Sequence, residues 1–238
     1  MLVSLRQLSS FAVLALFPLI TAQSIKADLI TDPAGNFLPS YTGPKNGDLD
    51  VISAQVFFDG SSFLFTSTQA APIGLTTGAI YVWGINRGAG TQGFPTLAPG
   101  VLFDSVFILN PAGGSSVRDL VTGAGTAISN ISFSGSTISG TVPYSALFLQ
   151  GFGPSQYTVN LWPRFGGVTG NAAISDFAPD NSNRLVTSVT PEPSTVSLFG
   201  MAAGGLLGVF RLRRKNSLQG SFPHCSCSSR SLSQPLSK

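Results

Sequence analysis

Residues 50–68 read DVISAQVFFDGSSFLFTST. Ile52, Ala54, Val56 and Phe58 alternate with Val51, Ser53, Gln55 and Phe57, and a period of two belongs to a strand. Asp59-Gly60 follows, a dipeptide that suits a tight turn. Phe63, Phe65 and Ser67 then alternate with Leu64 and Thr66. The stretch predicts a β-hairpin, with Ile52, Ala54, Val56 and Phe58 sharing one face.

The same texture extends along the middle of the chain. AIYVWGI (79–85) is apolar throughout, which suits a central strand. VLFDSVFIL (101–109), SVRDLVT (116–122), AISNISFSGSTISGTVP (127–143) and YTVNLWPRF (157–165) are further short runs between Gly and Pro punctuation. SFSGSTISG predicts a second hairpin around Gly135-Ser136, and PYSALFLQ a helical turn. No long stretch has helical period. The expectation is all-β: a single β-sandwich, jelly-roll-like or DOMON-like, of roughly eight to ten strands over residues 28–190.

The two ends differ from this middle. MLVSLRQLSSFAVLALFPLITAQSIKAD has a basic residue, Arg6, then an apolar core over 11–20 and small residues beyond it. This is the pattern of a secretory signal helix, residues 1–27, with cleavage after Ser24 or Ala27. Residues 194–210 carry no charge and as a helix reach about 25 Å, enough for a thin bilayer. Arg211, Arg213, Arg214 and Lys215 follow at once, and such a cluster stays cytoplasmic behind a single transmembrane helix. Residues 216–238 are Ser-rich, lack apolar periodicity and predict a disordered tail.

Charge must be read by region. The whole chain has a formal net charge of +3, yet residues 28–190 hold five basic residues against nine aspartates. The basic surplus sits at the ends, so it gives no reason to expect nucleic acid as a partner. Cys225 and Cys227 are the only cysteines and His224 the only histidine. Glu192 is the only glutamate. The middle therefore offers no Ser-His-Asp or Cys-His arrangement, no thiolate metal site and no axial haem ligand. GAGTQG (88–93) matches G-x-G-x-x-G, but Pro95 and Pro99 deny it the helix that would meet a pyrophosphate. An enzyme is not expected.

Pro191, Glu192, Pro193 and Ser194 precede the Gly-rich apolar span and its basic cluster. The order and spacing of these three parts resemble the PEP-CTERM sorting signal of Gram-negative bacteria. That resemblance implies processing by an exosortase after transient anchoring in the inner membrane. Delivery to the cell surface or extracellular matrix follows, often among exopolysaccharide. The 23 residues beyond the basic cluster depart from the family, whose tails end sooner. In the middle, TDPAGNFLPSYTGPKNGDLD, YVWGINRGAGT, SGTVPYSAL and ISDFAPDNSN resemble, in order, segments of DOMON-like and glucodextranase-type binding domains. This implies a sandwich that can serve as a carbohydrate-binding module or as a surface protein.

Two kinds of site follow from residue type. Asp32, Asp48 and Asp50, with Asn36 and Asn46, are hard oxygen donors in one loop region and could hold calcium. Asp180, Asn181 and Asn183 form a second such loop. The competing reading is that all of these are Asx turns. No other cofactor is expected. Trp83 and Trp162, with Tyr81 and Tyr157, could stack on sugar rings if exposed, or pack the core if not. The sequence-based expectation is an exported, non-catalytic surface or matrix protein, the alternative being a carbohydrate-binding module.

Overall fold

The 50–68 stretch forms the expected hairpin, with strands Val51–Phe58 and Ser62–Gln69. Asp59 makes the turn: its Oδ1 accepts the amides of Ser61 and Ser62 at 2.7 and 2.8 Å. Those two amides hold the Asp59 carboxyl below the usual range. Gly60 takes φ +101°, where a side chain would be strained. One detail differs from the alternation. A bulge between Val51 and Ser53 shifts the register. Val51, Ala54 and Val56 are therefore buried, while Ile52 and Phe58 are only partly so. The extra residue of a bulge moves the side chains before it to the other face.

These observations come from a computed structural model that describes residues 28–188. The expected signal helix, the sorting and anchor segment and the tail lie outside the described residues.

In chain order the strands are β1 (Ile30–Thr31), β2 (Val51–Phe58), β3 (Ser62–Gln69), β4 (Ala79–Asn86), β5 (Thr91–Gln92), β6 (Leu102–Phe103) and β7 (Ser105–Leu109). They continue with β8 (Ser116–Asp119), β9 (Gly125–Ala127), β10 (Ile131–Ser134), β11 (Thr137–Pro143), β12 (Thr158–Phe165), β13 (Arg184–Leu185) and β14 (Thr187–Ser188). The first sheet runs β1-β2-β3-β11-β10, with β14 also beside β2. β1 pairs along the first half of β2, at Ala54 and Ser53; β14 pairs parallel along the second, at Phe57 and Phe58. The second sheet runs β13-β12-β4-β7-β8-β9. β4 is central, as its apolar run requires. The second hairpin turns at Gly135-Ser136, between β10 and β11. Among the described residues the only helical pieces are short 3-10 turns, including Tyr144–Ala146.

The inner faces of the two sheets share one core. Phe63, Phe65, Ile138 and Val142 from the first sheet meet Tyr81, Trp83, Ile85, Phe107, Val159 and Leu161 from the second. The second sheet is covered on its outer face too. There Val82, Val106 and Trp162 pack under Phe94, Ala98, Val101, Ile174 and Phe177. The cover comes from the 93–101 connection and from the 174–177 segment. This double burial explains why β4 and β12 are apolar on both faces, whereas β3 alternates. Gly84 is required by the cover: a Cβ there would lie 2.5 Å from the Trp162 ring.

The G-x-G-x-x-G stretch leads into strand β5 and then turns, not a helix, as its prolines require.

Candidate functional site

Three segments distant in sequence meet at one corner of the fold. The first is the loop after β1, which carries Asp32 and Asn36. The second is the 3-10 turn Gly47–Leu49 leading into β2, which carries Asp48 and Asp50. The third is the 174–180 segment, which carries Asp176 and Asp180. The bulge draws the third segment in. Val51 N–H, displaced from the ladder, donates to Asp176 Oδ2 at 3.0 Å. Ser175 Oγ donates to the Leu49 carbonyl at 2.7 Å, and Phe177 N–H donates to Asp176 Oδ1 at 2.7 Å. A buried carboxylate is thereby pinned to two backbone amides.

The neighbours of Asp176 are acidic. The negative charges of Asp32 and Asp50 both act on its carboxyl. Burial, together with the charges of Asp32 and Asp50, pushes the Asp176 carboxyl up to about 8, against the opposing pull of the two amides. Burial also raises the Asp32 carboxyl, helped by the charge of Asp180 and opposed by the Asn36 amide. Asp50 is raised by burial, with the Gly35 amide opposing. Asn36 Nδ2 donates to Asp32 Oδ2 at 3.1 Å, and Gly35 N–H donates to Asp50 Oδ2 at 2.8 Å. Two buried oxygens face no protein donor: Asn36 Oδ1 and Asp50 Oδ1.

Asp48 does not join this group. Its two oxygens accept the amide and the hydroxyl of Thr76, both at 2.7 Å. Asn46 also turns to Thr76, donating to its hydroxyl at 3.0 Å. The pair ties the loop before β4 to the turn before β2. Of the three aspartates grouped by sequence, the fold thus keeps Asp32 and Asp50 together and assigns Asp48 to a structural clamp. The second oxygen-rich loop divides in the same way. Asn181 and Asn183 accept the amides of Gly100 and Leu102 at 2.8 and 3.1 Å, stapling the outer cover. The charge of exposed Asp180 helps raise the Asp32 carboxyl. Sequence reasoning missed Asp176. Its signal was a carboxylate, beside Ser175, set among the apolar Ile174, Phe177 and Ala178. Among the described residues, no group of three or more His, Cys, Asp or Glu side chains is arranged as a ready metal centre.

The aromatic candidates for sugar stacking are corrected by burial. Trp83 is 0% exposed and meets Phe65 edge-on at 5.3 Å in the inner core. Trp162 is 2% exposed, enclosed by Phe94 and Phe103 at 5.0 Å. Tyr81 and Tyr157 are also buried, with hydroxyls donating to the carbonyls of Asp48 and Leu147. Each apolar ring filled a core position the facing sheets had to occupy, so none presents a face to a ligand. Among the described residues the exposed large aromatics are instead Phe148 and Phe152, on the loop after the Tyr144–Ala146 turn. An open cleft of about 460 Å³ lies where the β7–β8 turn approaches β9 and β10, lined by Asn110, Ser115, Ser129 and Phe133 among others.

A buried cation, also missed by sequence, sits at another place. Arg87 pairs with Asp104 and Asp119 and donates to the Phe148 carbonyl.

The sorting residues are decided by a different observation. Residues 189–215 match the PEP-CTERM protein-sorting motif. The chain carries an exosortase-type sorting signal. The match spans Pro191, Glu192, Pro193, Ser194 and the basic cluster Arg211, Arg213, Arg214 and Lys215, all outside the described residues. No curated protein and no solved structure matches the chain. The DOMON-like and glucodextranase-type resemblance thus gains no support beyond its coarsest implication, two facing β-sheets. No helix of the described residues is long and apolar enough to cross a membrane.

Proposed function

We propose that this chain is an exported, non-catalytic β-sandwich displayed at the cell surface or in the extracellular matrix through exosortase processing of its tail. The PEP-CTERM match at 189–215 carries the reading. The apolar core over 11–20 behind Arg6 supports export. The all-β body, stapled by buried polar contacts without any cysteine, suits a displayed domain. Residues 28–188 contain no His, Cys or Glu, which supports a non-catalytic role. Association with exopolysaccharide belongs to the same proposal, and the open cleft beside Phe133 is where a glycan would be sought once the tryptophans are withdrawn.

The test is mass spectrometry of surface and medium fractions from a strain that carries an exosortase. Peptides from 28–188 are expected outside and none beyond residue 210. Alanine at Pro191, Glu192 and Pro193 together should leave the chain with the inner membrane. Intact 191–238 in the outer fraction of the wild type would overturn the proposal.

A further inference from the structure

We propose that the end of the sandwich carrying Leu120, Val121, Phe148, Leu149, Phe152 and Leu185 is a lipid-facing surface, which rests on the bilayer that holds the chain before processing. The inference depends on the anchored stage of the proposed function and adds to it a role for one face of the folded domain.

The first observation is where the exposed apolar residues lie. Among the described residues nine large apolar side chains are exposed, and these six stand at one end. Single apolar residues scattered over a surface need no explanation, but a group gathered at one place marks a contact surface. At this end β4 and β8 finish and β7 and β12 begin, with Thr158 opposite Asn86, Ser105 opposite Ile85 and Asp119 opposite Ser105. Leu185 pairs with Thr158. Arg87 fastens the two loops beyond the strands. Its guanidinium reaches Asp119, next to Leu120, and donates to the Phe148 carbonyl. Phe152 N–H donates to the Arg87 carbonyl at 2.9 Å. A buried ion network thus holds the 119–122 turn and the 148–152 loop in place while their apolar side chains point to solvent.

The second observation is where the chain leaves. β14 runs parallel to β2 and sets Ser188 beside Phe58. Phe58 meets Tyr144 at 6.0 Å, and Tyr144 meets Phe148 at 6.3 Å. Phe63, opposite Phe58 in the hairpin, stacks on Tyr157 at 5.5 Å, so this end of the first sheet coincides with that of the second. Ser188 therefore stands at the same end as the apolar loops. The charge-free stretch begins at Ser194, six residues further on. Six residues extend to at most about 20 Å. An eight-residue strand such as β3 is about 26 Å long. The tether is shorter than the sandwich, so an anchored chain keeps this end nearest the bilayer.

Exposed Asp59 lies in the hairpin turn at the same end, so the attraction comes from apolar burial and not from charge. It should persist at high salt, which screens exposed charges. A small apolar contact of this kind is weak and reversible alone and needs a second anchor to hold a protein on a membrane. It would orient the domain while the tail is present and let it depart once the tail is removed.

The experiment uses the full-length chain with Cys225→Ser and Cys227→Ser, reconstituted into phosphatidylcholine vesicles. An environment-sensitive thiol dye is placed at Leu149→Cys. The control carries it at Leu75→Cys, a leucine of similar exposure before β4, at the opposite end. The dye at 149 should shift to the blue, be quenched by lipid brominated on its acyl chains and be shielded from iodide, in low and high salt alike. The dye at 75 should show none of these. Phe148→Ser with Phe152→Ser should lower the lipid quenching at 149. Equal behaviour at 149 and 75, or quenching untouched by that double variant, would overturn the proposal. So would a blue shift without lipid quenching, which would show a second copy of the chain on this surface. A chain that floats with the vesicles but leaves the 149 dye in water overturns this inference alone. A chain that does not float removes the anchored stage as well.

Discussion

Arg87 Nε donates to Asp104 Oδ1 at 2.6 Å, and both side chains are 1% exposed. Asp104 Oδ2 also accepts the backbone amides of Arg87 and Ala89, at 2.8 and 3.0 Å. The guanidinium further reaches Asp119 at 3.0 Å and the Phe148 carbonyl at 3.0 Å. One buried cation thus joins the end of β4, the entry to β7, the end of β8 and the 148–152 loop. Nearly every hydrogen-bonding direction of the group is used, the condition under which a buried pair is tolerated.

Removing Arg87 leaves Asp104 buried without its cation. Arg87→Met should cost about 3–5 kcal/mol in urea unfolding. The double variant Arg87→Met, Asp104→Leu should not recover the loss, because the amides of Arg87 and Ala89 then lose their acceptor. Full recovery in the double variant would show that the network is a simple ion pair.

Asp176 makes stability depend on pH in a direction opposite to that of most carboxylates. Its folded-state pKa is raised to about 8 from 3.8. Between these values the folded state holds a proton that the unfolded state has released. Stability should therefore fall as pH rises from about 4 to about 8, by at most about 1.4 kcal/mol per pH unit for one proton. Asp32 and Asp50, the charged groups acting on Asp176, are shifted the same way and reinforce the trend. Urea unfolding in chelator across this range checks it. Asp176→Asn should flatten the profile.

Gly84 lies under the ring of Trp162. Gly84→Ala should force that ring away and cost about 1–3 kcal/mol by overpacking. Trp162→Ala should cost about 3–5 kcal/mol by emptying the outer cluster. Thermal melting measures both. A Trp162→Ala protein that melts like the wild type would mean the outer cover is not part of the stable fold.

The basic cluster is tested apart from the Pro-Glu-Pro triplet. Glutamine at Arg211, Arg213, Arg214 and Lys215 together removes the charge that, in the proposed topology, would hold the tail on the cytoplasmic side. Cell fractionation should then find less processed 28–188 outside, with the unprocessed chain accumulating in the membrane. Unchanged release would show that the triplet and apolar span suffice.

The sequence by itself determined what depends on neighbours in the chain. A period of two, Asp59-Gly60 and the Gly135-Ser136 turn specify hairpins, because strand faces and turn dihedrals are local properties. The apolar run of β4 announced a strand buried on both faces. The sorting segment was legible because its three parts are contiguous, and the missing His and Cys restricted the chemistry of the middle. Tertiary structure decided the rest. A bulge at Val51, whose amide is held by Asp176 across 125 residues, moved Ile52 off the core face. The same approach assembled Asp32, Asp50 and Asp176 while Thr76 drew Asp48 away. Trp83 and Trp162 read as core rings before ligand platforms in so Phe-rich a middle, but only the layers packed over each decided it. Which carboxylates meet, and which rings are covered, are long-range packing outcomes that neither periodicity nor turn chemistry encodes.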